Sequence, residues 1–418
     1  MGSITPSIAS TAATDIHTDT DLPPILQYAP PLDPAWLAHE RAANLETPKL
    51  STDPVGRQPI YAADCRRRNA AMMAPGKRDH RLAMGIATKE ISVASRMDGF
   101  AIPVLQYDCV GDGDGATHAV DSSDSSSSSH SHLRGRDGEG GQSDEDAGLQ
   151  QQQQQQEPQT VIIYYHGGGL LVGETDSEDL SCRRLVKDSA SFLPGGVRVY
   201  SVGYRLKPQH KAAVCVADSI DAFAHLAGRH QQQSQQQQGG GRQPRIIIAG
   251  SSSGGELAAF VSQHVLASQH TADESGRSPP LHGVLLRCPV ASDSFRGPEY
   301  VPSHLREIHT SARDPSFQTT LLTRLDMEGP RDGLERMPLE VDDAALKGMP
   351  RTWIQVCTND VLYSDGACYA RVLRGAGAQV KADVVWGWPH TFWLKAPHLE
   401  RAEKAEEAML EGLKWLVS

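Results

Sequence analysis

No CxxC pair occurs among the seven cysteines of this 418-residue chain, Cys65, Cys109, Cys182, Cys215, Cys288, Cys357 and Cys368. An odd number of scattered thiols excludes a disulfide frame and a zinc site, and reads as reduced, mostly buried cysteine in a reducing compartment. No apolar run is long enough to cross a bilayer. The opening "MGSITPSIASTAATD" has neither the basic nor the apolar region of a signal peptide, and Pro6 stands where a myristoylation pattern after Gly2 wants Ser or Thr. A soluble, cytoplasmic protein without a membrane span is therefore expected. Basic charge is scarce as well. Forty Lys and Arg against 51 Asp and Glu leave a net charge of -11, and no basic stripe is interleaved with aromatics, so nucleic acid is not expected as a partner.

The length suffices for one large α/β domain with additions, or for two ordinary domains. Hydrophobic residues make up 39% and mean hydropathy is -0.41, a deficit concentrated in two polar tracts. Over 110–160 the chain is rich in Ser, Gly, Asp and Gln, and over 230–244 it reads "HQQQSQQQQGGGRQP". Both are expected to be disordered surface insertions, since they offer almost nothing to bury. Each interrupts a strand-and-helix series that resumes afterwards, which argues for one catalytic domain over 86–418. Residues 1–85 read as an irregular or helical cap segment, and 292–347 as a second cap segment.

Apolar, β-rich runs recur at "VIIYYH" (Val161 to His166), "VRVYSVGY" (Val197 to Tyr204), "RIIIAG" (Arg245 to Gly250), "GVLLRCPV" (Gly283 to Val290), "TWIQVCT" (Thr352 to Thr358) and "VKADVVW" (Val380 to Trp386). Most are separated by segments of helical periodicity, the pattern of a mostly parallel sheet covered on both faces. Ahead of them, "ATKEISVAS" and "FAIPVLQYD" read as a hairpin turning near Gly99.

Three serines, Ser251, Ser252 and Ser253, lie between the strand "RIIIAG" and the helical "GELAAFVSQHVLA". A sharp strand-to-helix turn requires nearly side-chain-free neighbours two positions before and after its central residue. Only Ser252, between Gly250 and Gly254, meets that requirement. It is the candidate nucleophile, and Ser251→Ala and Ser253→Ala are each expected to keep much of the activity. A serine hydroxyl also needs a base, an orienting acid and an oxyanion site. "HGGG", His166 to Gly169, follows the first parallel strand, where the amides of Gly167 and Gly168, with that of Ser253, would receive a substrate oxygen. Asp360, at the C-terminal end of "TWIQVCT", is the candidate acid. Asp365, on the following helix, reads as a residue favoured by the helix dipole. His390, in "GWPHTFW", is the candidate base. His210, His225, His264 and His304 lack such placement and read as ordinary surface or core residues.

In this order, "HGGGLLVGE", "GYRLKPQH", "GSSSGGELAA", "NDVLYSD" and "GWPHTFW" resemble the hormone-sensitive-lipase family of α/β hydrolases. The resemblance implies the α/β-hydrolase fold: a mostly parallel eight-stranded sheet, helices on both faces and a helical cap. It also implies hydrolysis of short acyl esters of small molecules by a triad of Ser252, Asp360 and His390, with Gly167, Gly168 and Ser253 as oxyanion hole and no metal or cofactor. Several positions depart from the family's pattern. Ser251 and Ser253 stand where Asp and Ala are frequent, Val361 where Pro is common, and Gln209 where Glu is usual, which would remove a buried partner of Arg205. Trp388, Phe392 and Trp393 would either shape an apolar pocket or pack beneath the histidine loop. Two other activities fit the same residues: amide or formamide hydrolysis, and ligand binding without turnover, which retention of His390 opposes.

Overall fold

In a computed structural model, residues 22–46, 53–110, 158–236, 243–270, 278–322, 329 and 331–418 are described. Eight strands form one sheet in the order β1-β2-β4-β3-β5-β6-β7-β8. They are β1 (Ile86–Ala94), β2 (Ala101–Cys109), β3 (Thr160–Tyr165), β4 (Val197–Val202), β5 (Arg245–Ser251), β6 (Gly283–Arg287), β7 (Arg351–Asn359) and β8 (Val380–Pro389). β2 pairs antiparallel with both β1 and β4, and the pairs from β4 to β8 are all parallel. This is the sheet expected of the α/β-hydrolase fold.

Every residue of β3 and β4 is buried, because helices cover both faces and leave no solvent side to select polar residues. Alternation sorts the side chains. Val161, Ile163 and Tyr165 join a core with α4 (Ala212–Gln236), α5 (Ser253–Gln269) and α6 (Tyr363–Gly375), while Ile162 and Tyr164 join a second core with α3 (Asp179–Lys187) and α7 (Glu400–Val417). Each of these aliphatic side chains contributes roughly 1.5–3 kcal/mol when fully withdrawn from water.

Before the sheet come α1 (Pro34–Ala42) and α2 (Pro54–Met73). Each opens on an Asp-Pro pair. Asp33 accepts from the Ala35 N–H, and Asp53 from those of Val55 and Gly56, while the proline needs no partner for an N–H it lacks. The strap preceding α1 crosses the loops at the C-terminal ends of β7 and β8. Asn359 Nδ2 donates to Pro30 O at 2.6 Å, Tyr363 Oη to Pro24 O at 2.6 Å, and the Asp33 N–H to Gly387 O at 2.8 Å.

Two expectations change on the structure. The Gln tract is helical further than expected: α4 runs through Gln236, past the predicted start at 230. Glutamine is a good helix former, and His230 is buried with its Nε2 2.8 Å from Tyr200 Oη. Residues 237–242 of that tract, and 111–157 of the other, lie outside the described residues. The described part of the 292–347 segment holds no α-helix. It is a chain of 3₁₀ turns, several opened by proline at Pro298, Pro315 and Pro338.

Candidate active site

The elbow is built as the glycine spacing requires. Ser252 has φ 54° and ψ -122°, a conformation strained for a non-glycine residue. A Cβ on Gly250 would stand 2.2 Å from Gly254 O, and one on Gly254 would stand 2.0 Å from Tyr165 O. Only glycine lets β5, α5 and the end of β3 approach so closely. The turn is fixed by its own backbone: the Ser252 N–H donates to Arg287 O at 2.8 Å, and Ser252 O accepts from the Glu256 N–H at 3.2 Å.

The three side chains singled out in the sequence stand in one hydrogen-bonded line. Ser252 Oγ is 2.8 Å from His390 Nε2, and His390 Nδ1 is 2.6 Å from Asp360 Oδ2. A carboxylate can only accept, so Nδ1 carries the proton and Nε2 presents its lone pair to the serine hydroxyl. The other oxygen, Asp360 Oδ1, accepts from the Leu362 N–H at 2.9 Å. Asp360 and His390 are buried. Burial lowers the proton affinity of His390, but the charge and hydrogen bond of Asp360, then the hydrogen bond of Cys288, raise it, and the net direction is upward.

Cys288, Asp360 and His390 offer ligand-type atoms within 4.8 Å of one another, all buried. The direct 2.6 Å bond between Asp360 and His390 leaves no place for a cation between them, so this set reads as a triad with a thiol beside it. Cys288 has φ 46°, and only folding brings it to the histidine.

The oxyanion loop departs from expectation at one residue. The Gly167 N–H is already committed, donating to Glu178 Oε1 at 2.7 Å. Among the described residues the N–H groups of Gly168, Gly169 and Ser253 find no acceptor, whereas that of Gly167 does. The loop abuts the nucleophile: a Cβ on Gly167 would lie 3.1 Å from Ser252 Cβ. Gly168, at φ +127°, could carry no side chain without striking Val172 O, and the Leu170 N–H donates to Ser253 Oγ at 3.2 Å.

Two further expectations are corrected, and one open alternative is decided. Asp365 does more than face a helix dipole: it is fully buried and accepts from the N–H groups of Ala291 and Ser292, from both Ser292 and Ser294 hydroxyls, and lies 2.6 Å from His309 Nε2. Arg205 has not lost its partners with Gln209. It pairs with Asp218 at 2.7 Å and Asp98 at 2.5 Å. Trp388, Phe392 and Trp393 are core, not pocket wall: Trp388 packs edge-on against Trp36, and Arg287 lies 3.9 Å over the Trp393 ring. Val290, Val361, Leu362 and Met337 form a separate small buried cluster.

A family model described as alpha/beta hydrolase fold matches residues 162–394, more than half of the chain and all of the geometry above. The chain belongs to this family. Among relatives of this hydrolase, an ethyl acetate hydrolase of Pseudomonas putida is 30% identical over 59% of the chain and 70% of that protein. A versiconal hemiacetal acetate esterase of Dothistroma septosporum is 25% identical over 60% of the chain and 71% of its own length. A longer protein named FAD-linked oxidoreductase pytB, from Aspergillus terreus, is 27% identical, and the match spans only 28% of it. Of solved structures, the Pyrobaculum calidifontis esterase superposes with a TM-score of 0.60 at 20% identity, covering 93% of this chain and 99% of the other, which speaks for the fold alone.

Glu178, Cys288 and His309 were not singled out in the sequence. Glu178 lies twelve residues beyond His166, outside any local motif, Cys288 meets the site only because β6 lies beside β7, and His309 meets Asp365, not the triad. Among the described residues no helix is long and apolar enough to cross a membrane.

Proposed function

We propose that this hydrolase is a serine carboxylesterase that cleaves short, acetyl-like acyl esters of small molecules, a secondary metabolite among them, through an acyl-enzyme. The observation that carries the reading is the unbroken line from Ser252 Oγ through His390 to Asp360. His390 takes the serine proton as the oxygen attacks the ester carbonyl, and Asp360 holds the ring in the required tautomer and offsets the imidazolium charge. The developing oxyanion settles among the amides of Gly168, Gly169 and Ser253, donors each worth about 100- to 1,000-fold in rate. The departing alcohol collects the proton from His390, and water then enters by the same route to release the acid. Relatives named for ethyl acetate and for a hemiacetal acetate support an acetyl-sized acyl group and a small alcohol partner.

A panel of aryl esters of increasing acyl length, run beside the matching N-acetyl and N-formyl aryl amides, tests this. The acetate should turn over fastest and the amides far more slowly, with Ser252→Ala reducing the acetate rate by about a million-fold, as when the nucleophile of such a triad is removed. Faster cleavage of amides, or undiminished turnover by Ser252→Ala, would overturn the reading.

A further inference from the structure

Glu178 is buried, and three donors from three different segments converge on it. Its Oε1 accepts both the Gly167 N–H of the glycine loop, at 2.7 Å, and the Ser251 hydroxyl of the elbow, at 2.5 Å. Its Oε2 accepts the Tyr164 hydroxyl of β3, also at 2.5 Å. One oxygen therefore joins the residue before the oxyanion amides to the residue before the nucleophile.

A carboxylate is suited to this task because it has acceptor sites only and can serve several donors at once. Here those donors come from backbones that must keep a fixed separation: the Gly168 and Gly169 amides on one side and Ser252 on the other. A misplacement of about 1 Å between such groups costs on the order of 100-fold in rate. The elbow carries Ser251 where the family's pattern frequently has Asp, so this chain has no carboxylate of its own at that position. Ser251 Oγ instead turns to one supplied from the loop ahead of α3.

We propose that Glu178 is a positioning residue of the hydrolytic reaction, holding the oxyanion loop in register with the nucleophile elbow and supplying from outside the elbow the carboxylate that position 251 lacks. The proposal rests on the serine-esterase reading above. Glu178 touches no reacting atom, so its effect belongs in kcat with little change in KM.

The test uses the full chain and four variants: Glu178→Leu, Glu178→Gln, Ser251→Asp and Glu178→Leu combined with Ser251→Asp. Glu178→Leu should lower kcat about 100-fold while KM stays within about threefold, the loss expected of a misplaced oxyanion site. Glu178→Gln keeps an acceptor at Oε1 and should lose only several-fold. Ser251→Asp alone sets two carboxylates together and should slow the enzyme, yet in the Glu178→Leu background it should recover at least about tenfold, a coupling that independent sites do not show. Wild-type kcat in Glu178→Leu, or no recovery in the combined variant, would overturn the proposal. Should Glu178→Leu fail to fold, Glu178→Gln decides alone: an unchanged kcat there overturns it. A wild-type protein that neither cleaves aryl acetates nor reacts with a fluorophosphonate would instead overturn the esterase reading.

Discussion

His309 Nε2 lies 2.6 Å from Asp365 Oδ1, and both side chains are fully buried. The contact joins the run of 3₁₀ turns between β6 and β7 to the first turn of α6, directly after the loop that carries Asp360. Asp365 also receives two backbone amides and two serine hydroxyls, so removing it strands several buried donors. Asp365→Ala should destabilise the fold by about 3–5 kcal/mol, the scale for breaking a buried ionic network from one side. Urea unfolding measures this directly, and a midpoint unchanged from wild type would contradict it.

Gly254 has a sharper requirement, since a methyl group there would meet the Tyr165 carbonyl at 2.0 Å. Backbone on both sides must shift to admit it, and Ser252 shifts with it. Gly254→Ala should lower kcat/KM for an aryl acetate by more than about 100-fold, whereas Gly375→Ala, where nothing lies within 4 Å, should leave the rate near wild type.

His166 links stability to pH. Burial holds its pKa down at about 4, against an ordinary 6.5, despite the opposing Gly167 carbonyl and the charges of Glu174 and Asp176. The unfolded chain therefore binds a proton at a pH where the folded chain does not, and stability falls as pH drops from 6.5 towards 4. The difference corresponds to about 3 kcal/mol. Denaturation midpoints measured across that window should decline, and His166→Gln, which cannot take up the proton, should flatten the decline. An unaltered slope in that variant would contradict the assignment.

His390 links activity to pH through a shift of the opposite direction. Its net upward shift, burial outweighed by Asp360 and then Cys288, means that the neutral base is formed only above the ordinary histidine range. The acidic limb of kcat/KM reports that ionisation in the free enzyme. Cys288→Ala removes one of the raising contacts, so the limb should move to lower pH. A limb that stays in place, or moves upward, would show that the thiol does not bear on the base.

The parts of this fold and site that were legible in the sequence are those whose physics is local. Glycines two residues either side of Ser252 announce a turn that only glycine permits, and apolar runs buried on both faces announce a parallel sheet. Asp360 and His390 could be singled out because each follows such a run by a residue or a few. What escaped is contact between distant segments. Nothing near Glu178 points to Gly167 or Ser251, nothing near His309 points to Asp365, and a lone Cys288 reads like any buried thiol until β6 is set beside β7. Glycine itself misled once: the HGGG string invites its first amide into the oxyanion role, and only the Glu178 contact shows that amide to be taken. The Gln tract misled through composition, since a polar run attached to a well-packed helix can simply continue it to Gln236.

The central claim is that Ser252, activated by His390, is the nucleophile. Reaction of the full chain with a fluorophosphonate, followed by intact mass and peptide mapping, tests it most directly. The account predicts a single adduct on Ser252, absent in Ser252→Ala and retained in Ser251→Ala and Ser253→Ala. An adduct on either neighbouring serine, or none on the wild-type protein, would contradict it.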